Sequence, residues 1–172
     1  FSTFMVHYQQ FLQLARECPE IQIVLKPHQL TFDKIIQYQL MSQEEMDAFI
    51  HDWTHLPNTA LVTGGDYFPM MWASDLMITD GISFFAEYMV TGKPLIWTKN
   101  SSRRQMNAIG ELLVSDGTYH AEHFDQVIAY IEQLFVQHQY PLYDQRKGLK
   151  ASLFPSKKGS AQYILDDIIQ GM

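Results

Sequence analysis

Four short stretches of this chain collect side chains able to handle an anion. Lys26-Pro27-His28, Gly64-Gly65-Asp66, Asp80-Gly81-Ile82-Ser83 and Lys99-Asn100-Ser101-Ser102-Arg103-Arg104 each follow directly on a short apolar run. Lysine, histidine and arginine bring charge, glycines leave backbone N–H groups bare, and a helix starting at Ser83 turns its positive end outward. That is the inventory of a phosphate site. The Ser83 hydroxyl, with the N–H groups of Ser83 and Phe84, is suited to a phosphate oxygen. Glu87 stands four residues on, on the same helical face and one turn deeper. A carboxylate there is too deep for a phosphate but suits ribose hydroxyls, so the spacing fits a nucleotide better than inorganic phosphate. Each residue also has an ordinary reading. Ser83 can be a plain N-cap. Glu87, Lys26 and His28 can be solvated surface groups, and Asp75 and Asp80 turn caps. Arg103 and Arg104 would be unfavourable at a helix start without a partner. The functional reading rests on these stretches meeting at one edge of a sheet.

The periodicities supply that sheet. Residues 2–17 place Phe4, Met5, Tyr8, Phe11, Leu12 and Ala15 at helical spacing, and Pro19 follows. Short strands are predicted at 21–25, 59–63, 76–79 and 94–98. Ser42 with Glu45 reads as a capping box opening a helix to about His55. Asp66 is expected to cap a short helix through Trp72, and a helix is predicted over 83–90 with Gly92 ending it. Further helices are predicted near 102–113, 123–137 and 159–170. Short buried strands alternating with helices give an α/β fold, a doubly wound parallel sheet of at least four strands in a single domain. Length leaves a flavodoxin-like receiver domain open. Either way, such sheets bind ligands at the carboxyl ends of their strands.

The 172 residues, 47% hydrophobic and net charge −7, describe a folded domain without a basic surface for nucleic acid, so no nucleic-acid partner is expected. Cys18 is the only cysteine, which rules out an internal disulfide. The longest strictly apolar run is the five residues Val127 to Ile131, too short for a membrane-spanning helix. No charged-then-apolar leader is visible, and no signal peptide is expected. The chain begins at Phe1 within a predicted helix and is expected to be a fragment of a longer protein.

Several of these residues resemble a known family, the CDP-glycerol glycerophosphotransferases that polymerise teichoic-acid and capsule backbones. Val24-Leu25-Lys26-Pro27-His28 is similar to their strand-then-KPH element. The run from Ala73 to Tyr88, ASDLMITDGISFFAEY, looks like their SD-x-x-ITD-x-SS-x-x-x-EY signature. Thr91-Gly92-Lys93-Pro94-Leu95-Ile96 resembles the TGKP segment that follows, and Lys158-Gly159-Ser160-Ala161 the start of their closing helix. The likeness runs in order from about residue 20 to 98 and is weaker beyond. The long middle motif is specific; KPH alone is weak.

The resemblance implies residues 1–172 are the nucleotide-donor-binding, Rossmann-like C-terminal half of a GT-B transferase, with a CDP-alditol donor and no cofactor or metal. It assigns His28 to the donor diphosphate, Ser83 and its neighbouring backbone to the phosphates, and Glu87 to ribose. Lys26, Gly64, Asp80, Gly81 and Phe84 complete the expected donor-binding set. Arg103 or Arg104 neutralises the leaving diphosphate; His28 and Arg103 are the expected catalytic pair. Attack by a polymer hydroxyl on the β-phosphorus is phosphoryl transfer, in which positioning and charge stabilisation dominate. Two departures stand out. Gly81-Ile82 replaces the family's Tyr-Ser or Gly-Ser and removes one hydroxyl. The N-terminal acceptor half, with its histidine base, is absent, as is the strand expected before helix 2–17. Catalysis by this fragment alone is therefore not expected. The likeness also implies a cytoplasmic enzyme at the inner membrane face, peripherally attached in its full-length form, with the polymer acceptor met through the missing half.

Two rival functions use the same fold: the donor half of an NDP-sugar glycosyltransferase, and a non-catalytic interaction module. His51 and His55 form H-x-x-x-H on a predicted helix. The glutamate of a zinc protease is missing and no third ligand lies nearby, so an exposed helix face is expected there. His120 and His123, expected in a loop, read the same way. No nucleophile elbow or Walker loop occurs.

Overall fold

The computed structural model describes residues 3–99, 106–154 and 159–170. The chain divides into two compact units, Ser2–Pro69 and Met70–Met172, and the division falls inside one short helix.

The first unit runs α1 (Phe4–Glu17), β1 (Ile23–Leu25), α2 (Thr31–Gln37), α3 (Gln43–His55) and β2 (Thr59–Leu61). β1 and β2 are parallel, with Ile23 opposite Thr59 and Leu25 opposite Leu61. Amphipathic spacing folds α1 and α3 onto this pair. Leu12, Phe49 and Trp53 are buried together and packed by Tyr8, Ile23, Leu25 and Leu61. Phe49 takes the rings of Phe4 and Tyr8 edge-on, at 5.6 and 5.3 Å, a favourable arrangement for aromatic quadrupoles. The predicted capping box forms: the Glu45 N–H donates to Ser42 Oγ at 3.1 Å and the Ser42 N–H to Glu45 Oε2 at 2.7 Å. Buried Asn58 donates to the carbonyls of Ala15 and Ile21, both at 2.9 Å, fixing the end of α1 to the start of the strands.

The helix at the division is α4 (Phe68–Ala73), and the Phe68 N–H bonds Asp66 Oδ1 at 2.9 Å, as the expected cap requires. The second unit then runs β3 (Met77–Thr79), α5 (Phe84–Met89), β4 (Leu95–Thr98), α6 (Ala108–Gly117), β5 (Tyr119–Ala121), α7 (Phe124–Ile131), α8 (Tyr143–Leu153) and α9 (Ser160–Gln170). The three strands form a parallel sheet in the order β3-β4-β5. Every residue of β4 is buried, as the central strand of a two-sided sheet demands. Gly92, with φ +77°, ends α5 and donates to the Met89 carbonyl at 3.0 Å.

Three expectations are corrected. The helix predicted near 102–113 is α6, which begins after Asn107, whose side chain caps the Gly110 N–H at 2.8 Å, and continues to Gly117. The helix predicted at 123–137 stops as an α-helix at Ile131 and continues as a π-helical stretch, Glu132–Val136. His120 lies in β5, not in a loop. The elements α2, β5 and α8 had no counterpart in the sequence pattern.

Two cations tie the starts of the second sheet together. Lys93 Nζ donates to the carbonyls of Trp72 and Ser74 at 2.5 and 2.6 Å, linking the approaches to β3 and β4. The buried guanidinium of Arg146 on α8 bonds the carbonyls of Lys93 and Gly117, linking the approaches to β4 and β5. Burial pushes its pKa down, although it stays a cation at any ordinary pH.

Candidate functional site

Within each unit, parallel strands bring the residues that follow them to one edge. In the first unit, Lys26-Pro27-His28 follow β1, and Val62-Thr63-Gly64 follow the paired β2. Lys26 is half-buried, His28 exposed and Gly64 exposed. His28 Nδ1 accepts the Leu30 N–H at 3.2 Å, and its carbonyl accepts the Thr31 N–H at 2.8 Å where α2 begins. With Nδ1 an acceptor, the proton of the neutral ring sits on Nε2. Gly65, at φ +79°, takes the left-handed turn after β2 that a β-carbon would strain.

In the second unit, Asp80-Gly81 follow β3, Lys99 follows β4 and Glu122 follows β5, again at one edge. Asp80 is half-buried. The Gly81 N–H bonds Thr79 Oγ1 at 3.0 Å, and the Phe84 ring lies over Gly81 so closely that a β-carbon there would stand 3.3 Å from it. The glycine thus lets the chain turn tightly under an aromatic ring. Ser83 is exposed, has helical backbone angles and makes no capping bond with its hydroxyl. The plain N-cap reading of Ser83 is therefore corrected. The Phe84 N–H donates to the Gly81 carbonyl at 3.2 Å, so it is engaged in the turn instead of being bare as expected. Arg103 and Arg104 lie outside the described residues.

Glu87 carries the sharpest feature of this edge. It is half-buried on α5, and its Oε2 is fully buried with no hydrogen-bond partner. A carboxylate oxygen in that condition is costly to the fold and needs a reason. A ligand bearing hydroxyl or N–H donors would supply the missing partner.

The neighbouring motif residues have structural work. Ser74 Oγ and the fully buried Tyr88 hydroxyl meet at 3.0 Å, and Ser74 Oγ also donates to the Met71 carbonyl at 3.1 Å. Burial raises the Tyr88 pKa, so it remains a neutral phenol. Together with Lys93, these residues account for much of the S-D…E-Y…G-K-P pattern as scaffold. Sequence reasoning missed Glu122, because β5 was not foreseen. Lys99 Nζ donates to its Oε1 at 2.5 Å, and that bond, followed by the lysine's charge, holds the Glu122 carboxyl below its usual range. The Lys99 cation is thereby fixed at the end of the central strand.

Among the described residues, no group of three or more His, Cys, Asp or Glu forms a candidate metal centre, and no helix is long and apolar enough to cross a membrane.

No protein-family model matches the chain, and no curated protein matches it in sequence. Among solved structures, the chain is similar to the UDP-GlcNAc 2-epimerase from Neisseria meningitidis, determined bound to UDP-GlcNAc. The TM-score is 0.53 at 16% identity, over 81% of this chain and 34% of the epimerase, so the chain spans about a third of that protein's length. At that identity the likeness is one of fold: α/β, Rossmann-like, of the GT-B kind.

Proposed function

We propose that this chain is the donor-binding part of a transferase whose donor is a nucleoside-diphosphate-linked alditol, CDP-glycerol or a close analogue, used to transfer glycerophosphate in cell-surface polymer synthesis. The observation that carries the reading is the buried, unpartnered Oε2 of Glu87, one turn into the helix that follows β3 and its tight Gly81 turn. Ribose hydroxyls are donors of the right kind for it. Ser83, exposed at the start of that helix, and Lys99 at the same sheet edge are the groups proposed for phosphate oxygens. The long Ala73–Tyr88 motif supports the cytidine-linked alditol within this ligand class. The roles of Lys26, His28, Gly64, Arg103 and Arg104 toward the diphosphate rest on the family resemblance and are proposed with it. Membrane attachment and a polymer acceptor belong to the longer protein that this reading implies.

The fold likeness to a protein solved with UDP-GlcNAc favours a second reading, an NDP-sugar donor. Calorimetric titration with CMP, CDP, UDP and GDP separates the two. A preference for cytidine supports the first and a preference for uridine replaces it with the second. Binding of none of the four overturns both and leaves the interaction module.

A further inference from the structure

The H-x-x-x-H pair on α3 carries more than its spacing suggested. The rings of His51 and His55 are stacked, with centroids 3.9 Å apart and planes 25° from parallel. His55 Nδ1 lies 2.7 Å from the His51 carbonyl, a helix oxygen that can only accept, so the ring's proton is on Nδ1 and its Nε2 carries the free lone pair. His51 Nδ1 lies 3.5 Å from Asp52 Oδ1, and the other oxygen of Asp52 accepts from Arg16 Nη2 at 2.7 Å. His55 thus has its Nδ1 bonded to a carbonyl and its Nε2 open, and His51 has a carboxylate beside its Nδ1 at charge-contact distance. Metal-binding histidines are oriented in this way, the outer partner fixing the tautomer and raising the basicity of the ligating nitrogen.

We propose that His51 and His55 form a bidentate site for a late divalent transition metal, with water completing the coordination. Two cis nitrogens about 2.1 Å from a metal stand about 3 Å apart; residues four apart share one helix face, and the two rings turn out of their stacked arrangement to bring both Nε2 atoms to one ion. Imidazole pairs suit Cu2+, Ni2+ and Zn2+, with copper bound tightest. Both rings are exposed, which gives the ion an open path. The site is independent of the proposed nucleotide chemistry.

The test is a titration of the chain with CuCl2, NiCl2 and ZnCl2, with copper followed by electron paramagnetic resonance. His51→Ala and His55→Ala should each weaken the first equivalent of Cu2+ at least tenfold and reduce its coordinated nitrogens from two to one. Asp52→Asn should weaken it less, through loss of the orienting carboxylate. Zn2+ should raise the melting temperature of the parent chain more than that of either histidine variant. Both rings lie on the surface, so the variants should fold, as circular dichroism would verify. Unchanged copper affinity and an unchanged nitrogen count in both variants would overturn the site and move the binding to other histidines.

Discussion

Replacing Glu87 by glutamine separates a binding carboxylate from a structural one. The parent protein keeps Oε2 buried without a partner, a situation that costs about 1–3 kcal/mol. Glutamine preserves the shape and removes the desolvated charge, but its amide is also left short of partners. The fold should therefore recover only part of the cost, about 1 kcal/mol at most, or a rise of about 2–4 °C in melting temperature for a chain of this length. Binding should move the other way. A hydrogen bond to a charged group contributes about 1.5–3 kcal/mol, so the nucleotide's dissociation constant should rise about 10- to 150-fold. Differential scanning calorimetry and isothermal titration with the preferred nucleotide read the two quantities on one sample. The opposed signs are the signature of a group held for a ligand at the fold's expense. A melting point several degrees lower, or an affinity changed by less than about twofold, would refute the reasoning and make Glu87 part of the scaffold.

Three other outcomes follow from the hydrogen bonding. Ser74→Ala should destabilise more than Tyr88→Phe, by about 1–3 against about 1 kcal/mol, because it strands a fully buried phenol whereas Tyr88→Phe leaves Ser74 bonded to Met71; urea unfolding of both variants decides the order. Asn58→Ala should cost about 2–3 kcal/mol in the same assay, through loss of the bonds to Ala15 and Ile21. The Ser42 backbone N–H, and then its hydroxyl, hold the Glu45 carboxyl below its usual range. A lowered carboxyl pKa stabilises above the unfolded value, near pH 4.5, and that contribution is lost as pH falls through the folded one. Melting curves between pH 6 and 3 should accordingly fall more steeply for the parent than for Glu45→Gln.

Where an element buries an apolar stripe or ends on a marked residue, its position was readable in advance. The α1 stripe, the Ser42 box, the four short apolar strands and the Gly92 stop all emerge from side-chain type and spacing alone. What escaped did so for physical causes. The face that α8 buries includes Arg146, and a charged residue on the inner side erases the periodicity that marks a helix. β5 is three residues long with exposed His120 at its centre, so its pairing with β4 is a tertiary fact. At the site, the glutamate's position on its helix was legible, but its orphaned oxygen was not, since burial of one atom depends on neighbours distant in the chain. The Phe84 N–H was misjudged because a turn bond from its own loop consumed it.

The Lys93 and Arg146 contacts give the three-stranded sheet a hinge post. Both cations grip backbone at the ends where strands begin, so the loops where strands finish can be remodelled without loosening the array. Evolution could exchange one ligand for another by rewriting those loops, while a loss at either cation would loosen the one junction it spans, β3 to β4 for Lys93 and β4 to β5 for Arg146. Amide exchange should reveal this gradient, slowest at Leu95 and Ile96 and faster toward Lys99.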